Sequence, residues 1–170
     1  FAYPYAEWFF GDQADKFRFA HLQEALTFVP FGVAVDEFQH IMYQNPDLTP
    51  DQRNQTWLEL EHKYRPWIDF DALPFYGRGA GWQRQLHIYE CPFYYIDYCL
   101  STMAALQFFL LSLDDHKDAW ERYLKLVRRA GLASYTELLQ TAGLKVPFAE
   151  GSVKGIAQQM TRWLEEHQVG

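Results

Sequence analysis

The chain has 170 residues, of which 15 are Lys or Arg and 22 are Asp or Glu, so its formal net charge is −7. An acidic chain lacks the basic patch that phosphate contacts require, which argues against nucleic-acid binding. Hydrophobic residues make up 49% of the sequence and aromatic residues 18%, far from the composition of disordered chains. We expect one folded domain spanning residues 1–170.

The first predicted element is a long helix. Apolar residues recur every three or four positions from Asp12 to Tyr43, which is helical periodicity. Pro30 removes one backbone donor and Gly32 lies just beyond it, so we expect the helix to kink or split there. Asn45-Pro46 should end it.

A second helix and a long loop follow. Thr49-Pro50 supplies a capping residue and a first-turn proline for a helix that extends to about Tyr64. Residues 66–81 contain two prolines and three glycines without any period, which indicates an ordered loop. Long loops inside compact domains are often functional.

The C-terminal half is predicted to be helical as well. Capping residues, a Ser-x-x-Glu capping box at Ser134 and flanking glycines mark the boundaries. The predicted spans are 82–113, with a break or new first turn near Pro92, then 115–129, 134–142 and 151–166. No segment alternates strongly enough for a strand, so the predicted fold is all-α with about six helices.

The cysteines bear on the cellular compartment, and the most apolar segment bears on membrane association. Eight residues on one helix would place Cys91 and Cys99 about 12 Å apart, too far for a disulfide, and free thiols suit the cytoplasm. Residues 94–113 are long enough to span a membrane, but polar residues such as Asp97 and Gln107 interrupt them. We therefore predict a buried helix and no membrane association.

Two Glu-x-x-His pairs are candidate metal ligands. Glu37/His40 and Glu59/His62 each share one face of a predicted helix, and di-iron four-helix proteins use two such pairs plus two further glutamates. The second pair lies on a largely charged helix, which favours a solvated face. A structural role is the preferred interpretation of both pairs.

The segment from Trp82 to Tyr98 carries the densest polar aromatic cluster. On a helix, the hydroxyls of Tyr94 and Tyr98 would share a face and Tyr95 would neighbour Tyr98, so these groups can converge on a ligand. Buried tyrosines usually bond within the core instead. The glycines of residues 77–81 can let the backbone approach a ligand or let the loop move.

No sequence motif in this chain identifies a chemical reaction. His-Glu-x-x-His, Gly-x-Ser-x-Gly, Cys-x-x-Cys and dinucleotide fingerprints are all absent. Residues alone therefore indicate a helical domain with a polar aromatic cluster.

The amino-acid sequences of several segments closely resemble the C-terminal part of oligoendopeptidase F, a zinc peptidase related to thimet oligopeptidase. The segments are Pro30–His40, Tyr43–Pro46 and above all His87–Tyr98. The opening Tyr3-Pro4-Tyr5 and the ending Pro147–Gly151 are similar too, so the resemblance covers nearly the whole chain. It implies a fragment of a larger helical catalytic domain.

The resemblance also implies a chemistry. In that family a His-Glu-x-x-His helix and a later glutamate bind zinc, which activates a water molecule to attack a peptide carbonyl. Those elements would lie upstream of Phe1, so zinc is expected in the parent enzyme and none is expected to be bound catalytically by this chain. Short peptides and the upstream part of the same polypeptide are the expected partners, and the detached chain is expected to be inactive and to self-associate.

Site residues follow from the same resemblance. His87 would bind the peptide backbone, and Tyr95 or Tyr98 would donate a hydrogen bond to the developing oxyanion. Tyr94 is expected to contact substrate. Three glycines would line the substrate channel on a flexible loop, namely Gly77, Gly79 and Gly81. The alternatives are a non-catalytic helical interaction module and a di-iron carboxylate bundle.

Overall fold

The computed structural model describes residues 1–70 and 72–169, and none of these residues lies in a β-strand. The all-α prediction is therefore confirmed. Six helices in this part of the chain have seven residues or more, as expected. The helices are α1 (Glu7–Phe10), α2 (Ala14–Gln44), α3 (Pro50–Tyr64), α4 (His87–Glu90), α5 (Ile96–Asp114), α6 (His116–Arg129), α7 (Tyr135–Thr141) and α8 (Ser152–Glu166). Asp71, in the predicted loop 66–81, is outside the described residues.

Two compact units divide the chain. The first consists of Phe1–Leu26 and Leu100–Gly170, and the second is Thr27–Cys99. A core cluster in the first unit contains Phe108, Leu139, Ala142 and Leu144. All the predicted site residues belong to the second unit.

Helix α2 does not split at Pro30, so that part of the prediction was wrong. Proline removes one amide donor, and the helix continues because the residues after it are held in a core. Val35 and Phe38 are fully buried there and pack with Trp57 and Leu60 of α3. This α2–α3 core supports the second unit.

The predicted break near Pro92 is confirmed, because α4 ends at Glu90 and α5 begins at Ile96. The part of the predicted helix before His87 is corrected. Residues Ala80–Arg84 form a 3-10 helix, and α4 is a single turn that ends at Glu90. Phe93 has a φ of 64°, in the left-handed region where helices of L-residues end. Pro92 also lacks the amide that would continue α4, so a turn separates α4 from α5.

Helix starts agree closely with the predicted caps. Thr49 accepts a hydrogen bond from the amide of Gln52, whose side chain accepts from the Thr49 amide, and Ser134 and Glu137 form the same reciprocal box. Asp115 accepts from two amides at the start of α6. Each such cap satisfies amide donors that a helix leaves open.

Helix α5 is the candidate membrane span found in the described part of the chain, by length and composition only. Within the chain, 28% of its apolar window is buried. Met103, Leu106 and Phe108 are among its buried side chains, so one face of α5 packs in the core. The absence of membrane association stays a prediction.

Candidate functional site

The candidate site is a cluster of one imidazole and three phenol rings in the second unit. His87 lies on α4, Tyr94 and Tyr95 on the turn after Phe93, and Tyr98 in the first turn of α5. The His87 ring centroid is 5.0 Å from that of Tyr95 and 5.6 Å from that of Tyr98. Tyr98 is 5.3 Å from both other tyrosines. The predicted catalytic and substrate-binding aromatics are thus brought together.

Hydrogen bonds orient the imidazole of His87. The Gln85 amide Nε2 donates to His87 Nδ1 at 2.9 Å, which leaves the proton of the neutral ring on Nε2. His87 Nε2 lies 3.4 Å from the Tyr98 hydroxyl. No sequence pattern singles out Gln85, since its role depends on the turn between the 3-10 helix and α4.

The cluster faces solvent on one side. Tyr94 and Tyr98 are 46% and 37% exposed, while Tyr95 is half-buried. Burial raises the pKa of the Tyr95 phenol, and the nearby Cys99 and Tyr98 contribute in the same direction. The pKa of Tyr98 is also raised, by desolvation and by its hydrogen bond with Tyr94. Both phenols are therefore protonated donors at neutral pH.

A buried glutamine fixes the turn that carries Tyr94 and Tyr95. Gln39 Oε1 accepts a 2.8 Å hydrogen bond from the Phe93 amide, and its Nε2 donates to the carbonyl of Val35 at 3.2 Å. The Phe93 ring lies 4.9 Å from the rings of His40 and Tyr43. Gln39 was not predicted as a site residue, although a glutamine within an apolar helical stretch already implies a partner.

Close helix packing places Tyr95. A Cβ on Gly32 would lie 2.1 Å from Cys99 Sγ, so the missing side chain lets α2 approach the start of α5. The Tyr95 ring then packs 5.8 Å from Phe28 and 5.9 Å from Phe31. Burial raises the pKa of the Cys99 thiol to about 11, which makes it an inert core residue.

The predicted glycine loop packs against α3. Gly79 has a φ of 70° and is buried, and a Cβ there would lie 1.9 Å from the carbonyl oxygen of Asn54. The Gly77 amide donates to the Leu73 carbonyl at 2.7 Å. Gly81 lies over Trp57 and shares a cleft with Gln85. The substrate-binding role of these glycines remains a prediction.

The Glu-x-x-His pairs are engaged in other contacts. Glu37 accepts from Lys63 Nζ at 2.8 Å and from the Tyr64 hydroxyl, and Glu59 accepts from Gln55. In residues 1–70 and 72–169, no group of three or more His, Cys, Asp or Glu side chains is placed to hold a metal ion. Nothing here supports the di-iron alternative.

Solved structures resemble the chain over almost its whole length. An X-ray structure at 3.1 Å described as an oligoendopeptidase F shares 48% identity with a TM-score of 0.91, and PZ peptidase A with an inhibitor shares 45% with the same score. An oligoendopeptidase F from Bacillus anthracis strain Ames shares 39%, with a TM-score of 0.78. No family model and no curated protein matches the chain.

The matched region is a part of those larger proteins. Each match covers 96% of this chain, but this chain spans only 29% of the first two chains and 26% of the third. The resemblance to oligoendopeptidase F that the sequence indicates is confirmed at this level, and the chain matches a peptidase.

Proposed function

We propose that this chain forms the peptide-binding and oxyanion-stabilising part of a zinc-dependent oligoendopeptidase that hydrolyses short peptides. The observation that carries the proposal is the convergence of His87, Tyr95 and Tyr98, with ring centroids 5.0 to 5.6 Å apart. The identity of up to 48% to an oligoendopeptidase F structure supports it.

Each ring has a distinct role in this proposal. With Gln85 on Nδ1, the Nε2 proton of His87 can donate to a peptide carbonyl of the substrate. Tyr95 or Tyr98 donates to the oxygen that becomes negatively charged in the transition state. A neutral phenol suits that role because its hydrogen bond strengthens as charge develops on the acceptor.

The residues described in this chain do not fit a zinc site. They provide no group of three potential ligands, and the sequence contains no His-Glu-x-x-His. In the proposed enzyme, zinc is therefore held by the remaining part of the polypeptide, and this chain alone hydrolyses nothing. We place the enzyme in the cytoplasm, where the free thiols of Cys91 and Cys99 would stay reduced.

The test uses the full-length polypeptide that contains this chain. Tyr95→Phe and Tyr98→Phe each remove one phenol donor while keeping the ring. For the variant that removes the oxyanion donor, we expect kcat for a short peptide to fall about 100-fold with a smaller change in KM. Steady-state kinetics with an internally quenched peptide measure both constants.

Tyr89→Phe is the matched control, because Tyr89 lies on α4, is exposed, and stacks on Trp82 outside the cluster. It should keep the parental kcat. Parental kinetics in both cluster variants would remove the oxyanion assignment. Peptide cleavage by the isolated 170-residue chain would contradict the proposal that the remaining polypeptide completes the site.

A further inference from the structure

A cleft of about 260 Å³ lies in the second unit, next to the His87 cluster. Gln85 belongs to both, since it lines the cleft and its amide holds His87. The other lining residues that matter are Trp57, Glu61, Arg65, Gly81 and Arg84. Of these five, only Gly81 has a role in the proposed substrate channel.

The indole of Trp57 offers an unused donor to this cleft. Trp57 is 1% exposed, and its Nε1 finds no hydrogen-bond partner among the described residues. Trp82, by contrast, donates to Asn54 Oδ1 at 3.0 Å. A buried N–H without a partner is unfavourable, so a donor left open beside a cleft points to a ligand acceptor.

Gly81 lies directly against that buried donor. A Cβ at this position would lie 2.7 Å from Trp57 Nε1 and 3.6 Å from Glu61 Oε1. Any side chain at this position would therefore add bulk against the indole nitrogen. Glycine keeps that bulk out of the cleft that it lines.

The charges of the lining favour an anion. Buried Glu61 is neutralised by Arg65, whose Nε donates to Glu61 Oε2 at 2.7 Å, and Arg65 is held between the rings of Phe31 and Phe70 at 4.8 and 5.0 Å. Arg84 contacts the Tyr76 hydroxyl and pairs with no carboxylate in the described part of the chain. The cleft thus carries one unbalanced positive charge.

We propose that this cleft binds a carboxylate group of a peptide ligand. The oxygens of a carboxylate accept hydrogen bonds from an indole N–H and a guanidinium together, and its charge balances Arg84. The identification of the ligand as a peptide rests on the proposed function. The preference for a carboxylate rests on the cleft alone.

Binding of a small probe tests the cleft independently of catalysis. N-acetylalanine and N-acetylalaninamide, which differ in one carboxylate, are titrated into the full-length polypeptide and followed by calorimetry. We expect the acid to bind at least about tenfold more tightly than the amide, as charge-assisted hydrogen bonds predict. Trp57→Phe and Arg84→Gln should each reduce that ratio to about threefold or less.

Trp67→Phe and Arg78→Gln are the matched controls, since both residues are exposed and line no part of this cleft. Arg84 is exposed too, so its variant remains informative even where Trp57→Phe does not fold. Equal affinity for acid and amide, or a ratio unchanged in both cleft variants, overturns the proposal.

Catalysis provides the second arm. Two peptide substrates that differ only in a C-terminal carboxylate or carboxamide should differ in kcat/KM, and the cleft variants should remove the difference. A polypeptide that prefers N-acetylalanine but cleaves no peptide would refute the proposed peptidase and leave the carboxylate site standing. A polypeptide that cleaves both substrates equally, with no preference between the probes, would refute the carboxylate site and leave the proposed peptidase standing.

Discussion

At the scale of single residues, Gln39 shows how one buried amide determines the geometry of the candidate site. It reaches 54 residues along the chain to accept from the Phe93 amide. Phe93 has left-handed backbone geometry, which costs a non-glycine residue roughly 1 kcal/mol or more. The hydrogen bond offsets part of that cost and thereby holds Tyr94 and Tyr95 beside His87.

Replacing Gln39 by Met should lower the free energy of unfolding by about 1–3 kcal/mol. Methionine keeps much of the volume but leaves the partly buried Phe93 amide without its acceptor. Urea unfolding followed by far-UV circular dichroism measures the change. Gln44→Met, at an exposed position of the same helix, should change stability by less than about 0.5 kcal/mol. Equal effects of the two substitutions would show that the Gln39 contact is unimportant.

At the scale of elements, the loop of residues 76–84 depends on backbone contact with α3. Gly79 supplies the left-handed turn between two 3-10 helices and lies against the Asn54 carbonyl. A side chain there conflicts with both requirements. The position of Gly81, and with it access to Trp57, depends on the same contact.

Gly79→Ala should therefore destabilise the chain by more than about 1 kcal/mol, because a positive φ is unfavourable for alanine and the Cβ would meet backbone atoms.

Gly155→Ala should have the opposite effect on stability. Gly155 lies within α8, and a Cβ there meets nothing within 4 Å, so the substitution should stabilise by about 0.5–1 kcal/mol. Thermal unfolding of both variants gives the signs, and a tolerated Gly79→Ala would contradict this account of the loop.

Elements whose boundaries are set locally were predictable from the sequence. The capping boxes at Thr49 and Ser134 involve residues three positions apart, so their pattern is visible in the chain itself. The break near Pro92 was predicted as well, but the left-handed turn at Phe93 depends on Gln39, far away in sequence. The expected split of α2 at Pro30 does not occur, since core packing of Val35 and Phe38 outweighs the loss of one backbone amide donor.

Site prediction had the same limit. The aromatic residues from His87 to Tyr98 were identified because they lie in one segment, where their spacing and the local sequence can be read directly. Sequence patterns did not indicate the unpartnered indole of Trp57 or the Arg65–Glu61 pair. Both depend on the packing of α3 against the loop. Their residue types are ordinary for a core helix.

At the scale of the whole molecule, exposed aromatic side chains predict self-association of the 170-residue chain. Trp8 and Phe9 are 79% and 78% exposed, with Tyr5 and Phe10 beside them, and contiguous apolar surface of this kind promotes association. We expect the chain to bind a hydrophobic dye and to elute from size exclusion as a species larger than a monomer. A monomeric, dye-negative chain would contradict this.

The variant Trp8→Ser/Phe9→Ser should lose most of both signals. Trp67→Ser is the control, since Trp67 is also exposed, at 57%, but belongs to the other unit. The two substitutions should leave thermal stability nearly unchanged because the side chains they remove bury little surface. Dye binding that persists in the double variant would place the associating surface elsewhere.

Salt distinguishes apolar from ionic association. The net charge of −7 makes two copies repel each other, and raising the ionic strength from about 0.01 M to 0.5 M shortens the Debye length from about 30 Å to roughly 4 Å. If the aromatic segment drives association, screening removes the repulsion and leaves the apolar contact, so the associated fraction should rise with salt. If ionic contacts hold the copies together, the associated fraction should fall. Sedimentation velocity at the two salt concentrations decides between them, with the double variant as the reference that should stay monomeric in both.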